Sequence, residues 1–529
     1  MLSAPPNRRM SLSILYVFFI LVLMLVALIA DKLRPGLIMF SAVVLMLCGN
    51  ILEPQEALEG FANKGMITVA LLYLVSEGVR KSGVLERIVY TLLPQKDCKV
   101  SLANFRFLPT ISFLSAFLNN TPVVVIFAPM IKNWAQKMHL PPTKFLIPLS
   151  YATILGGMCT LIGTSTNLVV DGMIQDAGYQ GLSMFELGKV GFFVLVAGLS
   201  YLIIISPHLL PDIRKSEQEA EEGDQQPGMQ RLEVMLSTRF PGLGKTLHKF
   251  DFYRHYGAHV RAIRRSGTTL RGDWMNMPLT KEDTLIVDAD DTFLPTWGES
   301  RVFWMINKVG DAEPPMGSKK KYFALILLVL MILGATFGEL PFVKNLLPNV
   351  KLDMFFFACV TTVIMAWTGM FNTRKYTKFI SWDVLITIAC AFGISKGMIN
   401  SGFADMVAGY IIDLAEHARH SENGIYIMLA AMYIITNLFT ELITNNAAAA
   451  LAFPLAVGIS NQLGCDPMPF FICICFAASA SFSTPIGYQT NLIVQGIGGY
   501  KFVDFLRVGL PLNLIVFFIS VFLIPLFYS

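Results

Sequence analysis

Two polar clusters interrupt otherwise apolar stretches of this 529-residue chain. Residues 118–121 read Leu-Asn-Asn-Thr, and residues 443–446 read Ile-Thr-Asn-Asn. The stretches 107–131, 145–170 and 467–500 contain no Asp, Glu, Lys, Arg or His. A ligand in this region must therefore be held by side-chain amides, hydroxyls, backbone groups and helix ends.

Groups of this kind suit two classes of ligand. Free N–H groups at helix N-termini favour anions, and the residues placed for such contact are Asn120, Thr121, Asn445 and Asn446. Asn, Ser and Thr oxygens together with unwound carbonyls suit a hard cation such as Na⁺. Ser115 and Thr440 lie about one helical turn before their clusters, so each hydroxyl can reach a cation under the tip. The local alternative is a hydrogen bond from each hydroxyl to the preceding turn of its own helix.

The composition shows what kind of protein must position these groups. The chain is 54% hydrophobic and 15% charged, against about 25% charged in soluble domains. This excludes a soluble enzyme for most of the chain and excludes a disordered protein. Apolar segments of spanning length, about 17–25 residues, form two groups on either side of a polar region, 206–321. We predict an all-α polytopic membrane protein with domains at 1–207, 208–320 and 321–529, the middle one a small α+β insert at about 230–300.

The two membrane halves are related by an internal repeat. Asn120 corresponds to Asn445, Thr166-Asn167 to Thr490-Asn491, and Ser82-Gly83 to Ser401-Gly402. The separation along the chain is nearly the same for all three pairs, which indicates duplication. Each half also has a segment with a polar cluster and a segment broken by small residues. Unpaired backbone is tolerated in a bilayer only where protein encloses it, so the matched breaks favour the central site of a secondary transporter. The alternative is a set of kinked helices with polar contacts between them.

Charge predicts the orientation of the two repeats. Each half is interpreted as five spans plus one re-entrant hairpin, which makes the second repeat inverted. With the insert in the cytosol, the inner loops carry about twice as many Lys and Arg residues as the outer side, as the positive-inside rule requires. Both termini then lie outside, and the acidic tract 217–224 becomes a flexible linker. Glu441 is a deep carboxylate, for which a structural role in the hairpin is favoured over proton transport.

At these motifs the chain resembles the divalent anion:sodium symporters of the ion transporter superfamily, in which hairpin tips read Ser-Asn-Thr and breaks read close to Thr-Pro-Pro-Asn. Here the first break is Thr-Ser-Thr-Asn (164–167) and the second is interpreted as lengthened, 484–491. The resemblance implies an inverted-repeat, dimeric elevator. The site residues that it implies are, for the substrate, Asn119, Asn120, Thr121, Thr166, Asn167, Thr444, Asn445, Asn446, Thr484 and Pro485; for one Na⁺, Ser115, Asn120 and Gly163; and for a second Na⁺, Thr440, Asn445 and Ser483.

The longer break and the insert resemble the branch of this family that carries a TrkA C-terminal (RCK-C) domain and includes sulfate permeases. In the insert, residues 231–234, 241–265 and 284–287 carry this resemblance. We therefore expect Na⁺-coupled transport of a small divalent anion, sulfate first, across the cytoplasmic (inner) membrane, with Na⁺ as coupling ion and no other cofactor. The insert is expected to pair subunits or bind an unknown ligand. The alternatives are a carboxylate symporter, a proton-coupled antiporter and an RCK-gated cation channel. No enzyme activity and no nucleic-acid partner are expected.

Overall fold

The structure is a computed structural model of the whole chain. It describes residues 12–528 except 31, 95–97, 213–229, 238, 266–267, 271–272, 282, 291, 299, 301, 309–317, 339, 341, 344–350, 372–375 and 415–423. The predicted linker tract 217–224 lies outside the described residues.

The first half consists of helices whose ends follow local sequence signals. Pro35 occupies the first turn of its helix, and the Asn63 side chain caps the next long helix by accepting from the Gly65 amide at 2.7 Å. Gly83, at φ 67°, adopts the left-handed conformation that ends that helix. The helices are Leu12–Ala30, Pro35–Cys48, Pro54–Glu59, Lys64–Ser82, Val84–Leu92, Val100–Ser115, Asn120–Lys137, Leu146–Gly157, Ser165–Asp176, Gly188–Ile204 and Ser206–Leu209, with short 3₁₀ turns at Gly60–Ala62 and Pro142–Lys144.

The second half repeats this order of helices. Its helices are Ser318–Gly338, Met354–Trp367, Trp382–Asn400, Phe403–Leu414, Gly424–Leu442, Asn445–Leu463, Met468–Ser479, Gln489–Gly498 and Phe502–Tyr528, with a 3₁₀ turn at Tyr376–Lys378. In both halves one helix ends just before the polar cluster and the next begins within it, and two further helices flank the segment that small residues interrupt. Helices Val84–Leu92 and Phe403–Leu414 were not predicted, because each is short and carries charged residues among its apolar ones.

Side-chain hydrogen bonds also repeat between the halves. Ser82 Oγ donates to the Val79 carbonyl at 2.6 Å and accepts from the Val84 amide at 3.3 Å. Ser401 Oγ makes the same two bonds, at 3.2 and 3.3 Å. Gly83 and Gly402 follow with φ of 67° and 75°. The internal duplication therefore extends from the sequence to the local structure.

The insert forms a five-stranded antiparallel sheet in the order β3-β2-β4-β1-β5. The strands are β1 Gln230–Leu236, β2 Ala258–Arg265, β3 Thr268–Thr269, β4 Asp283–Ala289 and β5 Phe303–Lys308. Short helices at Phe252–Tyr256 and Phe293–Trp297 and a 3₁₀ turn at Trp274–Asn276 complete it. Its core is separate from that of the membrane helices and contains Phe240, Phe250 and Phe303. The sheet continues to Lys308, beyond the predicted end near 300.

Apolar side chains cover the outside of the helical body. Five of the described helices are long and apolar enough to cross a membrane: Leu12–Ala30, Pro54–Ser82 (with the turn at its start), Trp382–Asn400, Gly424–Leu442 and Phe502–Tyr528. Exposed side chains on them include Phe19 at 65% and Leu526 at 67%. Faces of this kind are stable against lipid and costly in water, so the chain is a polytopic membrane protein.

The insert packs on the ends of two membrane helices next to the hairpins. Lys132, on helix Asn120–Lys137, forms an ion pair with Glu233 of β1 at 3.2 Å, and both side chains are largely buried. A Cβ added at Gly496, near the end of helix Gln489–Gly498, would lie 2.6 Å from Met235 Cε of β1. One face of the insert's sheet therefore fits closely against the helices that start at the first tip and at the second break.

Candidate functional site: two hairpin tips facing two broken helices

Four helices begin at the polar clusters, two at the hairpin tips and two at the breaks. They start at Asn120, Ser165, Asn445 and Gln489. For each of them the N-cap residue makes no side-chain capping bond, and the first turn contains no acidic residue. The first backbone N–H groups of a helix have no partner within the helix and carry partial positive charge. The tips and breaks therefore supply donors and positive potential without any cationic side chain.

Each tip contacts the break of the other repeat. Thr121 Oγ1, in the first tip, donates to Gln489 Oε1 in the second break at 3.4 Å. In return, Asn446 Oδ1, in the second tip, accepts from Ser165 Oγ at 3.3 Å and Thr166 Oγ1 at 3.1 Å in the first break. The four helix N-termini thus meet in one place, although they come from opposite halves of the chain.

Tyr488 lies at the centre of this arrangement. Its hydroxyl accepts from Asn120 Nδ2 at 2.6 Å and lies 3.2 Å from Thr164 Oγ1. The Asn445 side chain also hydrogen bonds to it. One buried hydroxyl therefore connects both tips to both breaks.

The first predicted cation site is brought together in space. Ser115 Oγ and Asn120 Oδ1 are 2.6 Å apart, and both residues are fully buried. A Cβ added at Gly157 would lie 2.8 Å from Asn120 Oδ1 and 3.1 Å from Gly163 O. The hydroxyl, amide oxygen and carbonyl predicted as ligands thus converge beside a glycine that leaves room for them.

Two of the three residues predicted for the second cation site, Thr440 and Asn445, lie together. Thr440 Oγ1 lies 2.8 Å from Asn445 Oδ1 and 2.6 Å from Ala478 O. A hydroxyl has one proton and can donate to only one of these oxygens, so the spot holds more acceptors than donors. This is the polarity that a hard cation requires.

Ser483, the predicted third ligand, has other partners. Its Oγ accepts from Asn513 Nδ2 at 2.7 Å, and its backbone amide donates to Glu441 Oε1 at 2.9 Å. Asn513 Nδ2 also donates to Glu441 Oε1 at 2.9 Å. Glu441 therefore links the start of the second break to the last helix.

Asn167 and Asn491 bridge the breaks. Asn167 Nδ2 donates to Gly157 O at 3.3 Å and Thr160 O at 2.9 Å. Asn491 Nδ2, at the equivalent position of the second repeat, makes the same two contacts at 3.0 and 3.1 Å. The breaks are therefore 160–167 and 484–491 and have equal length. The prediction that the second break is longer was wrong, because it compared the whole second break, 484–491, with only the last four residues of the first, 164–167.

The remaining predicted residues lie around the tips. Thr484 Oγ1 donates to Glu441 O at 3.2 Å, Pro485 is buried, and Thr444 Oγ1 is buried without a hydrogen-bond partner in the structure. Asn119 lines a cavity of about 10 Å³ together with Ser165. That space suits about one water molecule.

Sequence reasoning missed Tyr488 and Gln489. Thr164 and Ser165 occupy the same positions in the first repeat, so the constant separation of the repeats contained the signal. This correspondence was overlooked because the second break was interpreted as lengthened relative to the first.

Polar hairpin tips set against broken helices in a duplicated helical body define a membrane transporter. The profile of the citrate transporter family matches residues 25–474, which is most of the chain. This protein belongs to the citrate transporter family, within the ion transporter superfamily. It is a transporter and not an enzyme.

Three similar proteins are named as transporters and align with this chain over most of their length. An uncharacterised transporter of Synechocystis is 29% identical, with 92% of this chain and 92% of that protein aligned. Sodium/sulfate cotransporter 1 of Chlamydomonas reinhardtii is 22% identical over 94% of this chain and 88% of its own. Probable sodium/sulfate cotransporter 3 of the same organism is 22% identical over 90% and 84%.

Proposed function

We propose that this protein takes up a small divalent anion, sulfate first, by Na⁺ symport with an elevator-type alternating-access mechanism. The observation that carries the proposal is the meeting of four uncapped helix N-termini in a region without cationic side chains. Such a site binds an anion through backbone amides, hydroxyls and side-chain amides. The relatives named as sodium/sulfate cotransporters support sulfate as the substrate.

Asn120 and Asn445 connect the two kinds of ligand. The oxygen of each amide faces a buried hydroxyl, Ser115 or Thr440, while the side chain also bonds to Tyr488. A Na⁺ at the oxygen would fix the orientation of each tip, and the tip would then present its N–H groups to the anion. This shared residue gives a physical basis for coupling cation binding to anion binding.

The proposal is tested by uptake of labelled sulfate into proteoliposomes with an inward Na⁺ gradient or with choline in its place. Uptake should require Na⁺ and should be competed by unlabelled sulfate. Uptake that is the same in choline, or absent under both conditions, contradicts it.

A charge variant tests the helix N-termini directly. Asn446→Asp places a carboxylate where the four N-termini meet and keeps the size of the side chain. It should abolish sulfate uptake, because the carboxylate neutralises the positive potential that binds the anion. Asn461→Asp, at the exposed far end of the same helix, makes the same chemical change and should leave uptake unchanged.

A carboxylate symporter is the second candidate. It is favoured by the description of the matching family as citrate transporters. Thermal unfolding of the purified protein with sulfate, citrate and succinate, each in Na⁺, separates the two, since a ligand that binds the folded state raises its stability. Stabilisation by citrate or succinate alone would replace sulfate as the proposed substrate.

We infer that the insert faces the cytosol of the inner membrane, that both termini lie outside, and that the protein is a homodimer with an RCK-C-like insert. The excess of Lys and Arg in the loops on the side of the insert supports this orientation. Proteolysis of sealed right-side-out vesicles should spare the insert, and cleavage within it would reverse the topology.

A further inference from the structure

A groove of about 720 Å³ lies between the insert and the ends of two membrane helices. Its walls come from the turn before helix Pro35–Cys48, the start of helix Trp382–Asn400, and Arg239, which follows β1 in the insert. We propose that this groove binds the headgroup of an anionic phospholipid and that the lipid joins the insert to the membrane helices.

The polar part of the groove carries an excess of positive charge. Lys32, Arg34 and Arg239 face it, and Asp383 is the one acidic residue among the described residues that line it. Asp383 Oδ1 already accepts from the Gly36 amide at 3.3 Å. Burial, and then the nearby Arg34 charge, lowers the pKa of Arg239. An arginine stays charged nonetheless, so a phosphate would relieve the repulsion between the two guanidinium groups.

The position related to this groove by the internal repeat shows a neutral version of the arrangement. Lys64 corresponds to Asp383, and Arg34 corresponds to Asp353. Both pairs have the same separation along the chain as Ser82 and Ser401. Within each pair one residue is basic and the other is acidic. Lys64 and Asp353 form an ion pair at 3.5 Å. The groove on the insert side differs because Lys32 and Arg239 add positive charge to the equivalent pair. The positive excess therefore depends partly on the insert.

The rest of the groove is apolar and open. Exposed apolar side chains there favour a lipid, which has acyl chains, over a free anion. Leu37 is 52% exposed, Phe40 46% and Trp382 44%. Large apolar side chains beside cations at the end of membrane helices match a phosphate headgroup with its acyl chain attached. A free phosphate would make no use of these side chains.

Arg239 is held in place by the fold of the insert. Its backbone amide donates to Ser237 Oγ at 3.0 Å, and the next residue, Phe240, is buried in the core of the insert. Loss of the lipid would therefore remove a contact between a rigid insert and the membrane helices. The lipid is expected to stabilise the docked insert and not the substrate site.

The test is thermal unfolding of the full-length protein in neutral detergent, with added phosphatidylglycerol, phosphatidylcholine or inorganic phosphate. Phosphatidylglycerol should raise the unfolding temperature, and the other two should not. The double variant Arg34→Gln, Arg239→Gln should need about 25-fold more phosphatidylglycerol for the same rise in unfolding temperature. This figure combines about fivefold in affinity for each cation near a membrane surface. Arg254→Gln, on the exposed surface of the insert, should leave the response unchanged.

Arg239→Lys is the control for a folding defect. It keeps the positive charge, so it should retain most of the rise in unfolding temperature with phosphatidylglycerol. An equal response to phosphatidylcholine, or a response to inorganic phosphate that phosphatidylglycerol does not exceed, overturns the proposal. So does an unaltered response in the double variant. None of these results depends on sulfate uptake, so the lipid site and the transport proposal fail separately.

Discussion

Removal of the Thr440 hydroxyl should weaken Na⁺ binding without altering the shape of the site. Thr440 is fully buried, and its Oγ1 lies 2.8 Å from Asn445 Oδ1 and 2.6 Å from Ala478 O. Valine has nearly the same shape and lacks the oxygen. The proposed Na⁺ would lose one ligand while the other two oxygens stay in place.

The expected magnitude follows from the cost of losing one polar contact to a charged group, about 1.5–3 kcal/mol. Because every 1.4 kcal/mol changes an equilibrium about tenfold, Thr440→Val should raise the Na⁺ dissociation constant by about 10- to 100-fold. Without Na⁺ the variant should also be less stable by about 1–3 kcal/mol, since buried acceptors lose their donor.

The assay is thermal unfolding of the purified protein across a series of Na⁺ concentrations at constant ionic strength, with choline as the replacement cation. Unfolding temperature rises with the logarithm of Na⁺ once the site fills, so the series yields the dissociation constant without a transported substrate.

Thr436→Val is the matched control. Thr436 is on the same helix and fully buried, but its hydroxyl donates to Met432 O at 2.8 Å within that helix. The dissociation constant of this variant for Na⁺ should stay within about twofold of the wild type, since this hydroxyl serves only its own helix. An unchanged constant in Thr440→Val, or equal shifts in both variants, refutes the second cation site.

Three further predictions follow from other parts of the structure. Glu441→Gln keeps an oxygen to accept the two bonds that Glu441 accepts now; the pH dependence of uptake should be unchanged, and its loss would identify a proton carrier. Tyr488→Phe removes the hydroxyl 2.6 Å from the Asn120 amide; it should lower the free energy of unfolding by about 1–3 kcal/mol, and an unaltered melting temperature contradicts the central role of this hydroxyl. Burial alone would raise the pKa of Asp288 in the insert, but hydrogen bonds from two arginines outweigh it and lower that pKa. The stabilisation is then complete above the unfolded-state pKa of about 3.9 and is lost as pH falls through the folded value, so Asp288→Asn should remove this acid-dependent step in tryptophan fluorescence.

Much of the fold could be predicted because the helices are long, apolar and duplicated. Helices begin at the corresponding residues Asn120 and Asn445, and the predicted interruptions lie next to the helix starts at Ser165 and Gln489. Helices Val84–Leu92 and Phe403–Leu414 escaped because a short helix with mixed polarity has no clear hydropathy signal. The last strand of the insert, Phe303–Lys308, extended the sheet beyond its expected end.

The candidate site could be predicted only in part. Residue types placed Ser115 and Thr440 next to amide oxygens, because both pairs lie about one turn apart on a hairpin. Ser483 Oγ accepts a hydrogen bond from Asn513, a contact that was not predicted because the path of a broken helix does not follow from local sequence. The reciprocal contacts of tips and breaks depend on how the halves pack, and sequence alone does not specify this.

The sequence by itself determined that the site is uncharged, duplicated and enclosed by apolar helices, since composition and periodicity follow from residue types alone. Only the tertiary structure decided that each tip meets the break of the other repeat, with Tyr488 between them. The physical reason is that four short helix ends, none with a charged partner of its own, become a site for an ion only when distant segments bring them together.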